Sequence, residues 1–337
     1  MSVTIRDIAR KLNLSITAVS RALDGYPDIS AATREKVRQA ALEMGYVPNR
    51  AARQLRRQKT DTIGYILPVS SPQHTESFHT VFMEGMSEEA AVHRYDLLIS
   101  TAPPSSPEEQ SIYQSWIQSH KVDGMIINRI QLHDWRVQYL AGQLFPFCAL
   151  EDSGDDLDYP RVEVANQAGM TALVQHIHQQ GYQRPAFIGG PVNLKIQQDR
   201  LRGYLDGLQI TGLPYDPLLM ETSDLTGISG YLACQRLLSS NFPPDAILCI
   251  NDDVAFGVMR AIHETGLRVG RDIAVTGFDG LQESGFTTPS LTTVEQPVHE
   301  IGRELICILL AEIQNQSAIE RLRRITPSLQ IRESTQK

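Results

Sequence analysis

From Thr62 almost to its end, this 337-residue chain alternates short, uninterrupted apolar runs with amphipathic stretches. Residues 63–67, 97–100, 124–128, 147–150 and 162–164 form a first series of apolar runs. Residues 186–189, 246–250 and 273–277 form a second, and helices are expected at about 81–93, 166–180, 199–208, 227–239 and 253–265. A strand that is apolar along its whole length has no side for water, so both faces must be covered. The helices between the strands supply that cover, and the pattern predicts an α/β fold with parallel, doubly wound sheets. Two series predict two lobes, with a crevice at the carboxyl ends of the strands.

The first 60 residues obey a different rule. Thr4 with Asp7 three residues later predicts a capping box, and Ile5, Ile8, Ala9 and Leu12 fall on one helical face. Asn13 tolerates a left-handed turn, after which Leu14 returns to the core. Ser15 starts a second helix with Val19, Ala22 and Leu23 inward, and Asp24-Gly25 stops it. Ser30 caps a third helix carrying a Val37, Ala40, Ala41, Met44 stripe. Two short helices joined by a tight turn predict a helix–turn–helix. Ile16, Thr17, Ser20 and Arg21 then point outward, where a recognition helix meets base edges. Arg21 reaches guanine or phosphate, Thr17 donates or accepts at a base edge, and Ile16 meets a thymine methyl. A plain three-helix bundle with a solvated face is the bland alternative.

Charge favours the first reading. Residues 1–60 hold 12 Lys and Arg against 5 Asp and Glu, a balance of +7; the whole chain stands at −8, so residues 61–337 sum to −15. A positive head on a negative body aims one end at a polyanion. Residues 46–60 predict a short helix capped by Asn49, with Arg50, Arg53, Arg56, Arg57 and Lys59 around one apolar residue, Leu55. That composition suits a helix that folds on DNA and wedges its minor groove. A flexible linker of scattered charge is the alternative.

The N-terminal run carries no long apolar segment, so a secretory leader is not expected, and no stretch approaches the roughly 18 apolar residues of a membrane span. A cytoplasmic location follows as the expectation. Four distant cysteines without a C-x-x-C pair read as free thiols. His176 and His178, two apart on a helix, make a poor metal pair. Asp252 and Asp253 are expected to cap the following helix. None of the nucleophile-elbow, P-loop, dinucleotide or zinc-protease motifs occurs. No catalytic residue, cofactor or metal is therefore expected.

The runs Val3-Thr-Ile-Arg-Asp-Ile-Ala, Val19-Ser-Arg-Ala-Leu, Thr33-Arg-Glu-Lys-Val and Gly45-Tyr-Val-Pro-Asn-Arg-Ala-Ala-Arg-Gln-Leu resemble the lactose and galactose repressor family. The likeness continues more loosely through Asn251-Asp-Asp-Val-Ala-Phe-Gly, Thr276-Gly-Phe-Asp-Gly and Leu291-Thr-Thr-Val-Glu-Gln-Pro. Ala18 stands where many members carry Thr, and Asp24 where Asn is frequent. The resemblance implies a helix–turn–helix at 1–48, a hinge helix and linker at 49–61, and a two-lobed effector domain of periplasmic-binding-protein type I. It divides that domain into an N-terminal lobe, 62–161 with 293–320, and a C-terminal lobe, 162–292 with 321–337. It also implies DNA contacts from Thr4, Ser15, Ile16, Thr17, Ser20, Arg21, Asn49, Arg50, Ala52, Arg53, Leu55 and Arg56.

For an effector, the resemblance points to Phe78, Arg200, Asn251, Asp279 and Gln296. Phe278 is a further aromatic candidate, and Arg129 and Glu151 add charge to the first lobe's rim that suits a ligand larger or more polar than a plain monosaccharide. Arg and Asp clasp vicinal hydroxyls with paired hydrogen bonds, which suits a mono- or oligosaccharide. Leu225 lies where some sugar-binding members have Trp, so the stacking surface must differ. The expectation is a homodimeric, sugar-released repressor on a pseudo-palindromic double-stranded operator, without a leucine-heptad tail for tetramers. A purine-like co-repressor is the opposite sign of control. An extracytoplasmic solute-binding protein is the rival class, though it would need a leader and no basic head.

Overall fold

The computed structural model describes residues 3–46, 59–69, 77–316 and 320–337. It forms two compact units, residues 1–60 and 61–337.

In the head, helix α1 (Ile5–Leu12) ends at Asn13, whose φ of 52° makes the tight turn into α2 (Ile16–Leu23); α3 (Ala31–Glu43) follows. Ser15 and Ser30 cap their helices by accepting the amides of Ala18 and Thr33 at 3.0 and 3.1 Å. The Thr4 amide and hydroxyl both donate to the Asp7 carboxylate, at 2.9 and 2.7 Å. Ile8, Ala9, Val19, Ala22, Val37, Ala40 and Ala41 close a small core. These are the faces that the 3.6-residue period selects.

The larger unit begins with β1 (Thr62–Pro68), α4 (Ser77–Val92), β2 (Asp96–Ala102), α5 (Pro107–Gln118), β3 (Gly124–Ile127), α6 (Trp135–Gly142), β4 (Phe147–Leu150) and β5 (Arg161–Val164). It continues with α7 (Asn166–Gln179), β6 (Pro185–Gly189), α8 (Lys195–Thr211), β7 (Met220–Thr222), α9 (Gly227–Leu238), β8 (Ala246–Cys249), α10 (Asp252–Glu264), β9 (Ala274–Asp279) and β10 (Thr292–Glu295). The chain then returns through α11 (Val298–Ile313) to β11 (Leu322–Ile325) and β12 (Ser328–Gln330).

Two six-stranded sheets result, ordered β11-β5-β4-β3-β1-β2 and β12-β10-β9-β8-β6-β7. Every pairing is parallel except β12 on β10. The central strands β3, β4, β6, β8 and β9 are buried throughout, as continuous apolar runs require.

The lobe boundaries need correction. The expected division at 161/162 falls inside β5, which pairs with β4 through Ala149–Arg161 and Leu150–Val162 and so belongs to the first lobe. Thr292–Glu295 pairs with β9 and stays in the second lobe. Leu322–Ile325, expected in the second lobe, pairs with β5 in the first. Backbone pairing decides lobe membership, and the side-chain pattern of these short strands holds no information about partners. Crossings therefore fall between Val164 and Asn166, between Glu295 and Val298, and between Ile325 and Ser328.

Among the described residues, no helix is long and apolar enough to cross a membrane.

Candidate ligand cleft and nucleic-acid interface

The loops leaving β3, β4, β8, β9 and β10 at their carboxyl ends, with the start of α4 and the first turns of α8, surround one cleft. Counting the space open at its mouth, it encloses about 470 Å³. Phe78 and His79 enter from α4, Asn128 and Arg129 follow β3, and Leu150 and Glu151 close β4. The second lobe contributes Ile196, Arg200, Leu225, Asn251 and Asp279, and Gln296 stands at the crossover after β10.

Four of these residues have a left-handed or otherwise positive φ without being glycine: Arg129 (50°), Glu151 (84°), Leu225 (73°) and Asp279 (124°). Each such residue costs on the order of 1–3 kcal/mol, and such strain gathers where function fixes the backbone. Here it turns the chain immediately after β3, β4 and β9, so the strand ends bring polar side chains to the rim.

A buried polar chain forms the floor. Arg200, 3% exposed, donates from Nε to Asn166 Oδ1 at 2.9 Å and from Nη1 to the Ile250 carbonyl, and lies 3.5 Å from Asp279 Oδ1. Its guanidinium stacks 3.6 Å from the centre of the Phe278 ring. Gln296 Nε2 donates to Asp279 Oδ1 at 2.7 Å. Asn166 Nδ2 donates to Glu151 Oε1 at 2.7 Å, and the Val164 amide donates to the same oxygen at 3.2 Å. The chain thus runs from the first lobe through both crossovers, Asn166 and Gln296, to Arg200 and Asp279. All the side-chain hydrogen bonds of Asp279 among the described residues fall on Oδ1, so Oδ2 keeps its acceptor capacity.

Burial dominates the acid–base behaviour here. It pushes Glu151 up to about 8, although the Val164 amide, Lys195 and Arg200 oppose it. It pushes Asp279 up to about 7 against the pull of Arg200, and it lowers His79 to about 4. Arg200 is itself lowered by burial, with Asp279 and Glu151 restoring part of the loss. Near neutral pH the floor therefore presents a protonated Glu151 beside a charged guanidinium.

Seven of the eight residues expected at an effector site line this cleft: Phe78, Arg129, Glu151, Arg200, Asn251, Asp279 and Gln296. Phe278 does not. Neighbouring residues of a strand face opposite sides, so with Asp279 at the cleft Phe278 enters the core and packs beneath Arg200 and against Gly169. The helix cap also differs from expectation. Asn251, not Asp252 or Asp253, accepts the Val254 amide at 2.9 Å while its Nδ2 donates to the Leu225 carbonyl at 3.1 Å. Asp252 is instead a buried brace, accepting from the Leu281 amide, Ser284 and Thr293 at 2.8, 2.6 and 2.6 Å.

His79, Asn128, Leu150 and Ile196 line the cleft without having been singled out. Asn128 was legible: it follows β3 directly, the same strand-end position that marked Arg129. Its Nδ2 has no hydrogen-bond partner among the described residues. Ile196 gave no sequence signal.

On the head, Ser15, Ile16 and Thr17 are exposed, with Ile16 at 46%, and Ser20 and Arg21 are partly so. Arg21 pairs with Asp28 at 2.8 Å and lies 4.7 Å from the centre of the Tyr26 ring, so it is held beside the start of the next loop. Asn49, Arg50, Ala52, Arg53, Leu55 and Arg56 lie outside the described residues.

A helix–turn–helix with its second helix exposed, joined to two parallel α/β lobes around a polar cleft, defines a DNA-binding regulator with a small-molecule receptor domain. Comparison with known proteins gives the family. Residues 4–49 match the description "Bacterial regulatory proteins, lacI family", and 174–335 match "Periplasmic binding protein-like domain". The HTH-type transcriptional regulator AglR of Rhizobium meliloti is 34% identical over 322 residues, covering 94% of this chain and 89% of the relative. The HTH-type transcriptional repressor CytR of Escherichia coli K12 is 32% identical over 335 residues, covering 99% and 96%. A lac repressor dimer solved with operator and the anti-inducer ONPF superposes with a TM-score of 0.86 at 28% identity, covering both chains completely. The regulator CelR in complex with cellobiose gives 0.76 at 26% identity, over 98% of this chain and 99% of that one. The chain belongs to the lacI family of bacterial transcriptional regulators.

Proposed function

We propose that the chain is a cytoplasmic, non-enzymatic repressor that binds a pseudo-palindromic operator as a homodimer and is released by a small saccharide held in the cleft. The convergence of polar groups from both lobes and the crossover on one cleft carries this reading. Arg200, Asp279, Asn251, Glu151 and Arg129 offer both donors and acceptors, which is what a ring of hydroxyls requires. Phe78, Leu150, Ile196 and Leu225 supply apolar walls for the sugar's C–H faces.

On the head, Ile16, Thr17, Ser20 and Arg21 read base edges, while Thr4 and Ser15 fix the helix ends against phosphates. Asn49, Arg50, Ala52, Arg53, Leu55 and Arg56 complete the contact as a hinge segment. The solved lac repressor with its operator and CelR with its cellobiose support the operator and the saccharide respectively. Because the polar floor passes through Asn166 and Gln296, a ligand that binds Asp279 and Arg200 shifts the preferred angle between lobes. An effector moves the equilibrium only by its differential affinity for the two states, typically about 1–3 kcal/mol per site.

The test is a mobility shift of DNA from upstream of the gene, with and without a panel of mono- and disaccharides. One sugar should release the retarded DNA. Absence of retardation under every ligand condition would remove the repressor reading; retardation that no saccharide alters would remove the saccharide.

A further inference from the structure

Away from the cleft, α4 and α11 cross with their backbones in contact. A Cβ on Gly85 would lie 2.0 Å from the His299 carbonyl oxygen, and one on Gly302 would lie 2.4 Å from that of Phe82. The crossing holds Glu89, His93 and Cys307 so that one ligand atom from each lies within 4.8 Å of the others. Glu89 and His93 are one helical turn apart at the C-terminal end of α4, and Cys307 comes from α11. The site is roughly 15 Å along α4 from His79 at the cleft, at 1.5 Å per residue.

We propose that Glu89, His93 and Cys307 form a binding site for a divalent transition-metal ion of the zinc class. A thiolate, an imidazole and a carboxylate are the donors such an ion takes, with water as the fourth ligand. The geometry leaves the right atoms facing one another. His93 Nε2 lies 3.1 Å from Glu89 Oε1, while Arg303 holds the other oxygen, Oε2, from Nε and Nη2 at 2.9 and 2.8 Å. A metal bound monodentately at Oε1 therefore keeps the Arg303 pair, which orients the carboxylate as outer hydrogen bonds do in metal sites. Tetrahedral bonds of about 2.0–2.3 Å place donors roughly 3.3–3.6 Å apart, within reach of small side-chain rotations. His93, 43% exposed at its side chain, opens the site to solvent, and the nearby C-terminal end of α4 favours a cation.

Burial and the Glu89 carboxylate keep Cys307 protonated, with its thiol pushed up to about 11. On coordination the S–H bond breaks, the sulfur lone pair bonds the ion, and the proton passes to solvent. His93 coordinates through Nε2 with its proton on Nδ1.

The experiment titrates cobalt(II) into the full chain after chelator treatment and reads optical absorption. The result expected is one tetrahedral cobalt per chain with a thiolate-to-metal charge-transfer band, reversed by zinc. Cys307→Ser should lose that band, and His93→Gln should weaken binding about tenfold or more. Both sites are partly exposed, so unchanged far-ultraviolet circular dichroism without metal confirms that the variants fold. Cys148, Cys234 and Cys249 are buried and serve as internal controls. A titration without a thiolate band, or a band that survives in Cys307→Ser or is unweakened in His93→Gln, overturns the proposal. The readout involves neither DNA nor saccharide, so its failure leaves the repressor reading untouched.

Discussion

Replacing Glu151 by Gln tests the electrostatics of the cleft floor most directly. The amide has nearly the shape of the acid, and its carbonyl oxygen still accepts from Asn166 and Val164 as Glu151 Oε1 does. What it removes is titration. Glu151 is 5% exposed, and burial raises it from 4.5 to about 8 in the folded protein. Between those values the unfolded chain has released a proton that the folded chain still holds, so stability must fall as pH rises through the window. This is opposite to a salt-bridged carboxylate, whose stabilisation is lost on acidification. Each pH unit well inside the window costs about 1.4 kcal/mol, which gives about 2–3 kcal/mol between pH 5 and pH 7.

Urea unfolding at pH 5, 6, 7 and 8, followed by tryptophan fluorescence, is the assay. Trp116 and Trp135, the only two tryptophans, both lie in the first lobe with Glu151. Glu151→Gln should match the parent near pH 5 and become more stable than it by about 2–3 kcal/mol at pH 7. Asp279 also titrates in this range and is present in both proteins, so the difference between the curves isolates Glu151. Parallel curves from pH 5 to 8 would mean that Glu151 ionises normally, and the protonated floor would be abandoned.

Asp279→Asn should weaken saccharide binding about tenfold or more, since a hydrogen bond to a charged group is worth about 1.5–3 kcal/mol. With burial raising Asp279 to about 7, calorimetric affinity of the parent should fall between pH 8 and pH 6 more steeply than that of the variant, in which Glu151 alone of the two carboxyls still titrates. Arg21→Ala should weaken operator binding roughly 5- to 150-fold, the range of about 1–3 kcal/mol for a base contact, as read by fluorescence anisotropy. Its partner Asp28 is exposed, so thermal unfolding of the head should not move. Gly302→Ala forces a Cβ to within 2.4 Å of a backbone oxygen, and the α4–α11 crossing must open. A loss of about 1–3 kcal/mol in urea unfolding is expected, and an unchanged midpoint would contradict the tight crossing.

Much of the molecule is written in local pattern. The head is legible because capping residues, Asn13 and the apolar stripe are all decided within a few residues, and Ser15 and Ser30 cap as their positions require. The strands are legible because a run such as Phe147-Cys-Ala-Leu can only be buried on both faces. Seven of the eight residues expected at the cleft could be placed because strand ends in parallel sheets converge and the family motifs fall there.

What the local pattern lacks is partner identity. It gives no way to know that Arg161–Val164 pairs with β4 and β11, because hydrogen-bond pairing between distant strands leaves no trace in a four-residue alternation. Phe278 and Asp279 are adjacent letters, yet the sheet's registration sends one into the core and the other to the cleft. Likewise Glu89 and His93 stand 214 residues and more from Cys307, and only the glycine-mediated contact of α4 with α11 joins them. Composition and periodicity decided which segments fold and how; long-range packing, whose energy depends on residues far apart in the chain, decided which side chains meet.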